Sequence, residues 1–409
     1  MADTKAEGEM IEVTDDFAFT GSVSGAVPNS SITDAKVSGI AASKLTGALP
    51  ALNGSNLTGV VSYTKNASDP AVTTNPSGGV GTLWVNTSSG ETYVCTDATT
   101  NENSWTNVGA GTGDIVPWAF TDGGKISVYK MGGNTGSTTI NKIEKISVTS
   151  NGNSTDIANL IAINHGWGVG SSQTHGYCNG GSQGGWGGGP FLNTIQKFQF
   201  SNDGDATSVG TLTTSRTNRA GHSMATHGFV AGGSQGGAPN AVNIIERYPY
   251  ATDTNSSDVG DLIRNDSLQG SCSDTDYGYT GGGEAFENVI ERYQFAASSS
   301  GSDVGDLVNT IGTCAGHSAG TTYGFISGGG PSNVIQRITY ASSGNSTDWA
   351  DLINSLNHYC GSESTTHGYN MAGYGINNII QKWPFASQTN ATDVGDLSQT
   401  SGAGASAHN

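Results

Sequence analysis

Along residues 121–409, short runs that alternate bulky and polar side chains recur with turn formers between them. The line Asn-x-Ile-x-Lys/Arg marks them, at Asn141, Asn193, Asn243, Asn288, Asn333 and Asn378, in steps of 52, 50, 45, 45 and 45 residues. Six copies at near-constant spacing define a repeat architecture, in which each unit buries its apolar face only against its neighbours. Each anchor is flanked by the same four pieces. In the third unit piece A is Ala220-Gly221-His222-Ser223, piece B runs from His227 to Gly233, piece C from Asn243 to Tyr250, and piece D from Ser257 to Leu262. Pieces B and C show the period of two of half-buried strands, with Ile245, Tyr248 and Tyr250 inward and Glu246 and Arg247 solvated. Gly pairs, Asn and Asp fill the gaps and read as turns. Four short strands per unit is the content of one propeller blade.

The two ends of this region complement each other. The first unit begins with a piece B (Ile126 to Met131) and lacks a piece A, whereas Ala403-Gly404-Ala405-Ser406 is a piece A with no B after it. Pairing them balances six of each piece and removes the open edges of a part-built ring. Piece A is expected innermost, because Gly170-Ser171-Ser172, Gly270-Ser271-Cys272 and Gly361-Ser362 are small enough for strands converging on one axis.

In these pieces the repeat resembles the kelch family. The likeness is carried by a small-residue strand, an aromatic strand ending in Gly-Gly, and a third strand with an aromatic near its end. The Gly-Gly step stands at Gly132-Gly133, Gly180-Gly181, Gly232-Gly233, Gly281-Gly282 and Gly328-Gly329, with Ala372-Gly373 in the last unit. Piece D departs from the family: five units carry Val or Ile where kelch repeats carry Trp, and Trp349 alone restores it. The resemblance implies an all-β protein whose residues 114–409 form a six-bladed kelch-like β-propeller.

Three segments precede it: 1–20, read as an attachment segment, 21–62, and 63–113. In 21–62, Ile32, Val37, Ile40, Leu45, Leu49 and Leu57 are spread thinly among Ser, Thr, Asn and Gly, too few to enclose a core within one chain. The run ITDAKVSGIAASKLTGALPALNGSNLTG resembles the shaft segments of phage tail fibres, which implies a fibrous, trimeric shaft. Residues 63–113 read as a small β module with a hairpin through Asn86 to Gly90. Its Trp84, Tyr93 and Trp105 are either the mini-core of a connector or a sugar-stacking face. Gly109 to Gly113 link the module onward.

Composition narrows the function. Charged residues make up 12% and Gly reaches 62 residues, which suits turn-rich β structure and not a disordered chain. With a net charge of −18 and only 16 Lys and Arg, nucleic acid is not an expected partner. Cys95, Cys178, Cys272, Cys314 and Cys360 lie far apart and read as buried apolar residues rather than a disulfide framework or metal set. The polar start MADTKAEGEMIEV is not expected to act as a signal peptide, and no apolar stretch is long enough to span a membrane.

No motif demands catalysis. Gly316-His317-Ser318-Ala319-Gly320 spells a nucleophile elbow, but in piece A rather than at a strand-to-helix turn. His222 and His317 hold equivalent positions, and the other units offer no third ligand there, so polar structural contacts are expected and no metal or cofactor. Turns such as Asp253 to Asp258 look faintly like calcium loops, yet Asx turns account for them with less. No two carboxylates stand out as a glycosidase pair.

What varies is the loops. The B–C loop shrinks from GSQGGWGGGPFL at 181–192 to GPS at 330–332 while the strands keep their length, and variable loops on a fixed scaffold carry binding. Trp186 in one such loop and Trp167 in the preceding D–A loop are expected to project from one face. His165, Arg216, Arg219, Arg264, His358 and Tyr359 are placed around them as polar contacts for a glycan. The other reading of both Trp is that they fill the gap between propeller and stalk. The expected function is that of a virion appendage of a bacterial virus, not an enzyme. It would bind other virion proteins through its N-terminus and a host surface polysaccharide through the propeller. The alternatives are a head-fibre or connector protein and, further off, a polysaccharide depolymerase.

Overall fold

In every unit the alternating pieces are strands, and the turn formers lie between them. The computed structural model describes residues 63–109 and 120–409, apart from 167, 185–187, 237–239, 298, 331 and 374–376. The attachment segment 1–20 and the shaft 21–62, with its expected trimer, lie outside the described residues.

Residues 63–109 form a four-stranded sheet of Tyr63–Asn66, Leu83–Asn86, Thr92–Asp97 and Ser104–Asn107. Trp84, Tyr93, Cys95 and Trp105 are its buried core, and Trp84 and Trp105 meet edge to face at 5.9 Å. The three aromatics therefore pack as a mini-core; the sugar-stacking alternative for them falls, because their rings are covered.

Beyond residue 120 the described residues hold six four-stranded antiparallel sheets, each a simple meander. In the third unit the strands are Ala220–Ser223, His227–Ala231, Ile244–Pro249 and Ser257–Asp261, matching pieces A to D. The first sheet joins the two ends of the region. Ala405–His408 pairs with Ser127–Asn134, with His408 opposite Val128 and Ala405 opposite Met131. The expected junction is the observed one.

The six sheets meet in sequence. Each piece A strand contacts the next, and Ala405–His408 contacts Gly168–Ser171. On the outer side Ala206 N donates to Asn159 O, Ser256 N to Thr211 O, and so on round to Ser154 N, which donates to Asp396 O at 2.8 Å. The core lies between neighbouring sheets. An aromatic of one piece B lies against the piece C aromatics of the following sheet, as Tyr129 does on Phe198 and Phe200 and Phe229 on Phe295 at 4.6 Å. Burying such a ring contributes roughly 1.5–3 kcal/mol, so each seam is held chiefly by apolar burial.

Two sequence readings change. Glu246 is not solvated but fully buried. Its carboxylate accepts from Thr213 N of the preceding sheet at 2.5 Å and from Ser256 Oγ at 2.9 Å, and it pairs with Arg216. The same bond recurs from Ile161 N to Gln196, Ile263 N to Glu291, Asn309 N to Gln336, Ile353 N to Gln381 and Ser398 N to Glu144. Period-two alternation hides it because the inward partner of this position belongs to the preceding sheet. In the fourth unit the left-handed step is Gly282-Gly283 (φ 72° and 145°) rather than Gly281-Gly282. The anchoring Asn has its reason in the C–D connection: Asn243 Nδ2 donates to Leu262 O at 3.2 Å, with like bonds from Asn141, Asn193 and Asn333.

Candidate functional site

The D–A and B–C loops share one face, since His165 bridges Ser182 and Thr217 bridges Ser234. At the axis of that face six residues at equivalent positions adopt the left-handed conformation: Gly166, Asn218, Leu268, Thr313, His358 and Ala403, with φ between 53° and 71°. Their backbones form a continuous run of hydrogen bonds. Asn218 N donates to Gly166 O (2.6 Å), Leu268 N to Asn218 O (2.9 Å), Thr313 N to Leu268 O (3.0 Å), His358 N to Thr313 O (2.9 Å) and Ala403 N to His358 O (2.9 Å). Gly166 N donates to Ala403 O at 3.1 Å, returning the run to its start. The same six residues line a small cavity with Arg219, Gln269, Cys314, Tyr359 and Gly404.

Below this mouth the piece A strands line a second cavity of about 100 Å³, room for several waters. At its far end lie Phe120, Glu363 and His408. Burial raises the Glu363 carboxyl to about 8, opposed by a bond from Ser318 N, and burial lowers His408 to about 4. His408 Nδ1 stands 3.7 Å from Glu363, and its Nε2 lies 3.2 Å from Phe120 O, with the Phe120 ring at 4.6 Å. The chain thus enters the six sheets at the A–B end of the axis, where Gly320 N also donates to Thr121 O.

The predicted polar site residues are mostly not on the surface. His165, Arg216, Arg219 and Tyr359 are buried, and Arg264 and His358 are partly buried. Arg216 pairs with the buried Glu246; Arg219 donates to the carbonyls of Asn179 and Leu192. Arg264 reaches Glu287 and Asp266, and Tyr359 Oη donates to Asn354 O at 2.6 Å. The reading of these groups as exposed glycan contacts is corrected for the four buried ones: loops that pack on neighbouring sheets need their own backbone carbonyls and carboxylates satisfied from within. Trp167 and Trp186 lie outside the described residues.

Other motifs settle into structure. Ser318 lies inside the strand Ala315–Ala319, its Oγ accepting from Ser273 N at 2.9 Å. His222 is held between Tyr279 O and Tyr293 Oη, and His317 between Ser362 O and Ser327 Oγ. Burial lowers both imidazoles to about 4. All five cysteines are buried and free. Among the described residues no group of His, Cys, Asp and Glu could hold a metal ion, and no helix is long and apolar enough to cross a membrane. The Asx residues of the C–D turns bridge sheets: Asn255 Oδ1 accepts from Thr211 N, Asn345 from Asp306 N, and Asn390 from Asp351 N.

Sequence reasoning missed an apolar feature of the loop face. Ile161 (53% exposed), Ile263 (47%), Val308 (49%) and Ile353 (45%) hold the same position, directly after the buried Leu that ends piece D. Ile163 and Phe286 are also exposed in these loops. The signal was in the repeat alignment, as an aliphatic where a loop usually turns polar. The loops of this face carry Arg216, Arg219 and Arg264 against Asp266, Glu284 and Glu287, a balance of zero in a chain of net charge −18. Compared with known proteins, the chain matches no family model, and no curated sequence is significantly similar to it.

Proposed function

We propose that this chain is a virion appendage protein of a bacterial virus, a tail-fibre-like subunit. Its residues 114–409 form a six-bladed kelch-like β-propeller that contacts a host surface glycan through the face of the D–A and B–C loops. The closing strand pair Ala405–His408 with Ser127–Asn134 and the returning run of axial hydrogen bonds support the six-bladed reading. One observation carries the choice of face. The chain enters the six sheets at the A–B end of the axis through Phe120–Asp122, so the loop face is the one opposite that entry. That face combines neutral loops with exposed aliphatics, while the net negative charge lies elsewhere.

The test replaces Trp167 and Trp186 together by Ala in the full chain. Adsorption to host cells should fall at least roughly tenfold, while the melting temperature stays within a few degrees, as for exposed stacking residues. Early melting with adsorption intact would place both Trp in packing and the contact elsewhere. A second reading, a head-fibre or connector protein, draws on Ile161, Ile263, Val308 and Ile353, whose aliphatic surface suits a protein partner. Labelling the C-terminus on intact particles separates the two: a distal label supports host contact, a label within the particle body supports the connector.

A further inference from the structure

Five of the six turns at the axis place a residue with a side chain in a conformation that glycine adopts without penalty. Gly166 closes the ring as well as any, so the backbone bonds alone do not require the other side chains. Asn218 tolerates the left-handed region, but Leu268, Thr313 and His358 are held there at a cost in stability. Such strain persists where the side chain does something at that point.

The residues in question line the cavity at the loop end of the axis. They offer an amide, a hydroxyl and an imidazole beside one leucine. Thr313 Oγ1 donates to Gly312 O at 2.5 Å, which leaves its lone pairs to accept. Burial and the neighbouring His165 hold the His358 imidazole low, at about 4, so it is neutral near pH 7. Arg219 also lines this cavity, but its guanidinium donates into the second sheet, to Asn179 O and Leu192 O. The lining therefore presents hydrogen-bonding groups and one apolar surface, and its one cation, Arg219, is buried and committed to two backbone carbonyls.

We infer that the axial mouth binds an uncharged sugar residue, with Asn218, Thr313 and His358 hydrogen-bonding its hydroxyls and Leu268 covering a C–H face. This rests on the glycan reading above and narrows it to neutral glycans; uronic and sialic acids are excluded, since their carboxylates would be desolvated without a partner.

The experiment uses glycine itself. In the full chain, Thr313→Gly with His358→Gly removes both side chains and relieves the left-handed strain. Wild type should be retained on immobilised mannan or dextran, insensitive to salt, and not on polygalacturonate or polysialate. The double variant should bind roughly tenfold or more weakly, having lost two hydrogen-bonding groups, while its melting temperature is unchanged or higher. Binding unaffected by the double variant, or lost together with a fall in melting temperature, overturns the inference, as does retention on the acidic polymers. Adsorption to host cells that survives periodate but not protease would leave host contact standing and remove the sugar. Failure to adsorb to any host cell would remove the wider reading itself.

Discussion

Six residues, Glu144, Gln196, Glu246, Glu291, Gln336 and Gln381, make the same bond to the preceding sheet, and the three carboxylates each have a basic residue close by: Lys130, Arg216 and Arg264. The three Gln need none, because an amide oxygen accepts the backbone N–H without carrying charge into the seam. Glu291 is the least comfortable of the set. Burial raises it to about 7, against the opposing pull of the Ile263 N–H and Arg264. Between its ordinary 4.5 and about 7, the folded protein keeps a proton that the unfolded chain has released, so stability falls as pH rises through that window. Glu291→Gln, the residue three sister units already use, should abolish that part of the decline, on the order of 3 kcal/mol at its upper end. Thermal unfolding of both proteins from pH 4.5 to 7.5 measures it; parallel curves would mean that Glu291 does not titrate there. Glu363, raised to about 8, has the same sign over a window reaching further into the alkaline range.

At the scale of an element, piece D is the outer edge strand of each sheet, and an unpaired edge invites pairing with another chain. Exposed Asp258 and Asp261, with exposed Asp156, Asp303, Asp348 and Asp393 in four of the sister units, discourage it by charge. The register shifts by one residue where piece D meets piece C, at Ile245/Glu246, and Gly260 supplies the irregular step. Gly260 N donates to Asp258 Oδ1 at 3.1 Å, and a Cβ on Gly260 would lie 2.5 Å from Ser299 O of the next unit. Gly260→Ala should therefore cost about 1–3 kcal/mol in chemical denaturation, through strain and a forced separation of two sheets. Gly152 has nearly the same φ, 156°, with open space around it, so Gly152→Ala isolates the strain alone and should cost clearly less. Equal losses would show that the close approach does not matter.

At the scale of the whole molecule, the proposed ring is held at its closing seam by the pairing of Ala405–His408 with Ser127–Asn134. Deleting residues 402–409 removes that strand, the two axial bonds of Ala403 and the His408 contact to Phe120. It also leaves Tyr129 and Met131 uncovered on one side. The truncated protein should aggregate or lose its cooperative transition in calorimetry; an intact, monodisperse species with an unchanged transition would refute the closing role. For the shaft, residues 21–62 carry too few apolar residues to enclose a core alone, so the full chain is expected at three times its monomer mass. Light scattering decides this, and a monomer would exclude the trimeric fibre.

The number of units, the order of strands and the joining of the two ends were legible in the sequence. These depend on local signals, such as Asn243 capping its own C–D connection and the alternation of Ile245 and Tyr248, which act within one unit. The mini-core of Trp84, Tyr93 and Trp105 was legible for the same reason. What lies across the seams was not. Glu246, Arg216 and Arg219 read as solvated or loop-exposed, yet they are buried because their surroundings come from a neighbouring sheet, which no pattern within a unit reveals. Ile161 and its counterparts, which sequence reasoning did not single out, are exposed because the preceding Leu already fills the seam. The left-handed turns at Leu268, Thr313 and His358 carry no composition signal at all, since glycine is the usual mark of that conformation. Sequence periodicity thus determined which pieces are strands and how many there are. The tertiary structure decided which polar groups face water, because burial depends on the residue brought opposite from another unit.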